Sequence, residues 1–174
     1  MLLALATTGL PQPANPDSAL IQDFENRIAD YVKLQHHAEG SVHGLKPTAS
    51  SEKIPHHEHE LAEQIRKARG AVAQGNIFTP EITAEFRRLI AMAMKGSDSR
   101  HVQESLRHAE PVRIPLRVDK SWPDGVPLQS TPPTLLINLP NLDPGLDYRV
   151  VGHNLVLRDA KANLIVDFLS DVIP

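Results

Sequence analysis

The chain has 174 residues, and its 18 Lys and Arg against 21 Asp and Glu give a formal net charge of −3 at pH 7. It contains no cysteine, which excludes disulfides, thiolate metal ligands and thiol nucleophiles. The slight excess of acidic residues argues against a nucleic-acid-binding surface. No apolar run approaches the roughly 20 residues that a membrane-spanning helix needs.

The first 15 residues differ in composition from the rest of the chain. A short apolar run, Met1–Ala6, is followed by small residues and then by the prolines of 11–16. This order is typical of an export signal that meets a mature N-terminus, although the basic start of such a signal is missing. We therefore predict a signal-derived or disordered tail at 1–15 and a periplasmic or secreted location.

The composition changes near Pro111. Every Glu and most Ala lie before this residue, whereas most Pro and only Asp among the acidic residues lie after it. Glu and Ala favour helices, while Asp and Pro favour turns. The change predicts a helical part at 16–110 and a strand-rich part at 111–174.

Three or four helices are predicted in the helical part, with bounds near 16–35, 52–74, 80–96 and 98–110. The third has the clearest start, because Thr79 can cap it, Pro80 suits its first position and Glu81 lies in its first turn. Apolar residues recur at helical spacing and predict the buried stripes of the first three helices. These stripes are Ile21, Phe24, Ile28 and Val32; Leu61, Ile65, Ala68 and Val72; and Ile82, Phe86, Leu89, Ile90 and Ala93.

The strand-rich part has a period of two. Alternating apolar residues at 112–118 predict either an exposed edge strand or a segment that is only strand-like, since Pro115 cannot donate to a sheet ladder. The apolar run at 134–139 predicts a short strand. Three antiparallel strands are predicted at 146–151, 154–158 and 164–169, with a tight turn at 152–153 and a longer turn at 159–163.

A strand-rich part of about 60 residues would be marginally stable alone, so we expect its apolar face to pack on the helices. The sequence therefore predicts an α+β fold, in which a helical N-terminal part packs with a C-terminal antiparallel β meander. We expect residues 16–174 to form a single domain. Trp122, in a Pro-Gly turn, is predicted to close over the helix–sheet interface.

The stretch 149–167 resembles a hairpin of the periplasmic nickel/cobalt homeostasis family. The positions that fit this pattern are Val151, Gly152, Val156, Leu157, Asp159, Ile165 and Val166. Leu155 replaces an aromatic residue of the pattern, Asn163 replaces a glycine, and the helical part does not resemble that family. The resemblance implies an exported β module, and no metal function is carried over from that family. The whole chain also resembles small exported bacterial proteins of unknown function.

Candidate metal ligands are concentrated at His56-His57-Glu58-His59-Glu60. On a helix, His56, His59 and Glu60 share one face because they are three and four residues apart. Two imidazoles and a carboxylate suit zinc, nickel or copper, although the metalloprotease motif His-Glu-x-x-His is absent. The alternative is a solvated first helical turn, in which the glutamates favour the positive end of the helix dipole.

No nucleophile elbow or phosphate-binding glycine loop occurs in the sequence. Asp159 is expected to bond the backbone of its turn, and the basic residues at 66–69 and 87–88 are expected to form a salt-bridged surface. The leading hypothesis is an exported, non-enzymatic binding or structural protein that recognises an envelope protein or component. The alternatives are a periplasmic protein that binds divalent metal through histidines, and a hydrolase.

Overall fold

A computed structural model of the chain describes residues 16–42, 53–95, 100, 104–105, 112, 114–128 and 131–173. Helices precede strands, which confirms the predicted α+β fold. The elements are α1 (Pro16–Glu39), α2 (Lys53–Arg69), α3 (Pro80–Ala93), the short α4 (Pro133–Leu136), β1 (Leu146–Val151), β2 (Asn154–Asp159) and β3 (Leu164–Leu169). The tail predicted at 1–15 and nearly all of the helix predicted at 98–110 lie outside the described residues.

The long helices differ from their predicted bounds at their C-terminal ends. α1 continues four residues beyond the predicted 35 and buries Gln35 and Ala38. α2 ends at Arg69, because Gly70 adopts a left-handed backbone with φ 68°. Ala68, predicted to be buried, lies inside α2 but is exposed. In the part of the chain that the structure describes, no helix is long and apolar enough to cross a membrane.

The N-terminus of α3 has the predicted cap. The Thr79 side chain accepts a hydrogen bond of 3.3 Å from the backbone N–H of Ile82. Phe86 of α3 packs 4.9 Å from Phe24 of α1 and 6.2 Å from Tyr148 of β1, measured between ring centroids. One continuous hydrophobic core therefore connects the helices to the sheet.

The three strands form an antiparallel sheet in the order β1-β2-β3. Gly152, with φ 57°, is the first of the two residues that join β1 to β2, the position where a type II′ hairpin turn has glycine. The pairing of β2 with β3 shifts register at Leu157 and Arg158. The predicted strands are confirmed, and β2 extends one residue further, to Asp159.

The sheet is covered on both faces. We call one the helix-covered face, which includes Leu155 and Leu157 and packs into the common core. The other, the loop-covered face, contains Val151, Val156 and Ile165 and packs against the segment 112–126. Trp122 is 3% exposed and belongs to this second cluster. The prediction that Trp122 closes over the helix–sheet interface is therefore wrong, because it covers the opposite face.

Two strand predictions are also wrong. Residues 133–136 are helical, because Pro133 starts a helical turn that buries Leu135 and, four residues on, Leu139. Residues 114–118 form no strand. The chain pairs with the sheet only later, where the backbone N–H of Asp119 donates to the carbonyl of Ile165 at 2.8 Å and Ser121 forms a bridge with Leu164.

Candidate functional site

Asp159 is fully buried at the end of β2 and joins the sheet to α1. Its Oδ2 accepts hydrogen bonds from the Tyr31 hydroxyl at 2.8 Å and from the Gln35 amide at 2.6 Å. Its Oδ1 accepts the backbone N–H groups of Lys161 and Ala162, which confirms the predicted bond to the turn. Burial, with a smaller effect of Asp159, raises the pKa of Tyr31, so its hydroxyl stays protonated and donates.

Asp167 has an equivalent role between β3 and the loop that joins α2 to α3. Its two carboxylate oxygens accept backbone N–H groups from Gly75 at 3.0 Å, Ile77 at 2.8 Å and Phe78 at 3.0 Å. It also accepts the N–H of Phe168 at 2.9 Å. Four donors satisfy a carboxylate that has no exposed surface, so Asp167 fixes the path of this loop.

A third carboxylate, that of Asp119, joins the segment before Trp122 to α2. The Arg69 guanidinium donates to Asp119, and only 4% of the Arg69 side chain is exposed. The same guanidinium lies 5.3 Å from the centroid of the Tyr31 ring. Burial raises the pKa of Asp119 and outweighs Arg69, which lowers it. These three aspartates hold helices and loops to the sheet and are committed to structural contacts.

The basic residues noted in the sequence match the predicted salt-bridged surface only in part, because Arg88 pairs with an acidic residue at the surface whereas Arg66 and Arg87 bond backbone carbonyls. Arg66 donates to the carbonyl of Asp119 at 2.7 Å. Arg88 pairs with Glu85 at 2.6 Å and with Asp17 at 3.2 Å. Arg87 instead donates to backbone carbonyls near the C-terminus.

Charged residues also lie on the loop-covered face. Asp147 of β1 lies 2.7 Å from an Arg149 nitrogen and 3.3 Å from the Nε of Arg158. Glu58 of α2 interacts with this group. Burial raises the pKa of Glu58, and the positive charge of Arg158 opposes that rise. Glu58 is therefore coupled electrostatically to Arg158.

The imidazoles of His56 and His59 in α2 each lie beside a different carboxylate. The His56 Nδ1 is 3.6 Å from Glu60, whereas the His59 Nε2 is 3.2 Å from Glu63, so each imidazole faces its own carboxylate. Both side chains are more than half exposed. Among the residues that the structure describes, no three His, Asp or Glu side chains are grouped so as to hold a metal ion. The metal site at His56, His59 and Glu60 stays a prediction.

A surface cavity of about 430 Å³ lies beside β1, and we call it the β1 cavity. The end of α4 and the segment after it form one wall, with Leu136, Pro140 and Leu142, and β1 forms the other, with residues 146–149. The Thr131 hydroxyl donates to the carbonyl of Tyr148 at 2.7 Å, and the Tyr148 hydroxyl donates to the carbonyl of Pro140 at 3.1 Å. These bonds fix the two walls relative to each other.

Two exposed apolar residues lie at this cavity. Within the described ranges, the large hydrophobic residues with the greatest exposure are Met92, Leu128, Leu136 and Ile137. Leu136 lines the cavity, and the next residue, Ile137, is 82% exposed. The helical turn after Pro133 produces this exposure, because it buries Leu135 and directs the next two residues outwards.

Comparisons with protein-family models, with curated proteins and with solved structures found no match for this chain. Of the site residues considered in the sequence, Asp159 contributes to a convergent polar cluster, together with Tyr31 and Gln35. Reasoning from the sequence missed the β1 cavity, because its α4 wall was predicted to be a strand. The Pro-Pro pair before Thr134 was the available signal for a helix start.

Proposed function

We propose that this protein is a non-enzymatic binding protein of the cell envelope, and that it recognises a partner protein through the β1 cavity and the adjacent Leu136 and Ile137. The observation that carries the proposal is the pair of exposed apolar side chains, Leu136 and Ile137, at a cavity with fixed walls. Contiguous exposed apolar residues are typical of interaction sites.

The position of Ile137 favours a macromolecular partner over a small ligand. It does not line the cavity, so a molecule confined to the cavity would leave it in water. A protein surface could cover both the cavity and Ile137, with the aliphatic side chains acting as anchors. The polar residues Thr131, Asn141 and Arg149 would then lie at the border of the interface.

The buried carboxylates support a binding role over hydrolysis. Asp159 and Asp167 each accept four hydrogen bonds from the protein itself, so their lone pairs are already used. Such groups are poor candidates for general bases, which need access to a substrate proton.

The proposal is tested by replacing Ile137 with a photo-crosslinking amino acid in cells that make the protein. We expect a discrete adduct with one partner. The same amino acid at the exposed Lys120 is the matched control and should give none. In a second experiment the crosslinking amino acid replaces Leu136. Adding Ile137→Asp to that chain should then abolish the adduct. The absence of any adduct specific to position 137 would overturn it.

The envelope location rests on the order of residues in the first 15 positions, which lie outside the described residues. Fractionation of cells that express the full chain tests it directly. We expect the protein in the periplasmic or secreted fraction, and a shift to the cytoplasm when Met1–Ala6 is deleted. Recovery of the intact chain from the cytoplasm alone would contradict the proposed location while leaving the binding surface untouched.

Divalent metal binding by His56, His59 and Glu60 is the second candidate function. The observation that favours it is that the His56 Nδ1 lies 3.6 Å from Glu60, with His59 exposed on the same turn of α2. The parent chain and a variant with His56, His57 and His59 replaced by Ala are each titrated with zinc, nickel and copper. Tight binding that this variant loses would support the metal site. Identical titrations would remove it.

A further inference from the structure

The β1 cavity lies at an unpaired edge of the sheet. β1 pairs with β2 on one side, and no other strand of the described chain pairs with its second side. Leu146 and Tyr148 belong to the core on the helix-covered face, and the side chains of successive strand residues alternate between the two faces. Asp147 and Arg149 therefore point to the opposite face, yet all four residues line the cavity. A cavity that borders residues of both faces lies beside the edge of the strand.

The backbone groups of residues 146 and 148 point away from β2, towards the cavity. The hydrogen bonds of an antiparallel strand alternate between its two sides. The carbonyl of Gly145 accepts the N–H of Ala160, which follows β2, at 2.7 Å, so the odd-numbered residues bond in the direction of β2. Thr131 supports this assignment, because it lines the cavity and its hydroxyl donates to the carbonyl of Tyr148.

Two of these outward groups have no hydrogen-bond partner within the described ranges. The N–H of Leu146 donates to the carbonyl of Asp143 at 3.1 Å, and the carbonyl of Tyr148 accepts from Thr131. The carbonyl of Leu146 and the N–H of Tyr148 are left. They flank residue 147 and face the same side, and one residue of an added parallel strand bonds such a pair with its own N–H and carbonyl. An extended chain is therefore a ligand whose hydrogen bonds match this edge.

The length of the edge and the opposite wall also suit an extended chain. Residues 146–149 span roughly 10 Å at about 3.3 Å per residue, which matches about three or four residues of a strand. Alternate side chains of such a chain would face the wall that contains Leu136 and Leu142. This wall is accessible, since Leu136 is 39% exposed and Leu142 is partly exposed. Aliphatic side chains of the added chain would therefore meet apolar surface that is open to contact.

A solvated edge is the simplest alternative, because water can bond both free backbone groups. It accounts for the Leu146 carbonyl and the Tyr148 N–H, but not for the two exposed aliphatic residues beside them, Leu136 and Ile137. Proteins commonly cover an exposed strand edge and so prevent its pairing with another chain. Here the segment beside β1 leaves a cavity of about 430 Å³ at the edge. Strand addition explains the free backbone groups and the apolar wall together.

We propose that the partner protein enters the β1 cavity as an extended segment and adds a strand to the outer edge of β1. The Tyr148 N–H and the Leu146 carbonyl bond the backbone of this segment, and one of its aliphatic side chains packs on Leu136. Strand addition gains affinity from main-chain hydrogen bonds and specificity from pockets for alternate side chains. This inference rests on the proposed function, since it states how the same partner is held.

The test compares the free full chain with the adduct formed through the photo-crosslinking amino acid at position 137, by hydrogen–deuterium exchange resolved at single amides. We expect the Tyr148 N–H to exchange at least about ten-fold more slowly in the adduct, because an amide that gains a hydrogen bond is protected. The amide of Ala73, an exposed loop residue outside the cavity, is the internal control and should be unchanged. An adduct in which Tyr148 exchanges as in the free chain would overturn strand addition while the proposed function stands. The absence of any adduct would overturn both.

Two variants test whether the partner occupies the cavity itself. Asn141→Trp places a large side chain at an exposed position that lines the cavity, and it should strongly lower the yield of the adduct from position 137. Asp143→Trp, at an exposed position two residues further on and outside the cavity, is the matched control and should crosslink like the parent chain. Circular dichroism checks that both variants are folded. Equal adduct yields from the two folded variants would contradict the binding of a segment inside the cavity.

Discussion

The two faces of the sheet are covered in different ways. On the helix-covered face, Asp159 and Asp167 have no exposed surface and bond groups from α1 and from the loop between α2 and α3. On the loop-covered face, the irregular segment 112–126 packs one tryptophan against Val156 and Ile165. The first face is held by carboxylates inside the core, and the second by an aromatic anchor with charged residues at its border.

This difference indicates on which face the fold is least tolerant of substitutions. A buried carboxylate that accepts several N–H groups cannot be removed without leaving those donors unpaired. An apolar anchor can be truncated at the cost of its contacts and a cavity, since no polar group is left behind. We therefore expect substitutions on the helix-covered face to destabilise the protein more than those on the loop-covered face.

Asp167→Ala should give the largest effect. It leaves the buried backbone N–H groups of Ile77 and Phe78 without an acceptor, and we expect a loss of about 4 kcal/mol in the free energy of unfolding, from unpaired donors at about 1–3 kcal/mol each. Urea unfolding followed by circular dichroism measures it. Asp30→Ala, at an exposed carboxylate, is the control and should change stability by less than about 0.5 kcal/mol. Equal losses in the two variants would contradict the role of Asp167.

Trp122→Ala should have the next largest effect. Trp122 is 3% exposed and is the aromatic residue that anchors the segment 112–126 to the sheet. We expect a loss of about 3 kcal/mol, the lower end for truncation of a buried aromatic side chain. Trp122→Phe, which keeps a ring but not the bond to the Val126 carbonyl, should lose less. A loss larger than that of Asp167→Ala would reverse the comparison between the two faces.

Glu58→Gln should have the smallest effect on the free energy of unfolding, and this effect should depend on pH. Burial raises the pKa of Glu58 in the folded protein, so the folded state binds a proton more tightly than the unfolded state does. This contribution to stability is fully present below the unfolded pKa and is lost as the pH rises through the raised folded value. The parent chain should therefore gain stability relative to Glu58→Gln as the pH falls towards about 4. A constant difference between pH 7 and pH 4 would contradict this.

Local patterns were sufficient for much of the fold. The cap at Thr79, the strands from Leu146 to Leu169 and the turn at Gly152 follow from side-chain spacing and backbone preference, and the structure confirms them. The strand predicted at 134–139 was wrong, because a short apolar stretch fits a buried strand as well as a helical turn. The edge strand predicted at 112–118 was wrong, because the apolar side chains of this segment pack on the sheet while its backbone forms no strand pairing.

The polar clusters were much harder to predict from the sequence. Tyr31 and Asp159 are 128 residues apart along the chain, and no local pattern indicates that they meet. The histidines of α2, in contrast, are adjacent in the sequence, yet the structure gives His56 and His59 separate carboxylate partners. Contacts between residues far apart in the chain therefore formed a polar cluster that no local spacing indicates, whereas the metal site at His56, His59 and Glu60 stays a prediction.

The sequence by itself determined the elements whose hydrogen bonds and side-chain periodicity are local, together with the order of helices before strands. Only the tertiary structure decided which face of the sheet Trp122 covers, which carboxylates are buried, and where cavities remain open to solvent. The physical reason is that burial and cavity shape depend on the packing of segments far apart in the chain. Helical and strand periodicity depends on neighbours within a few residues.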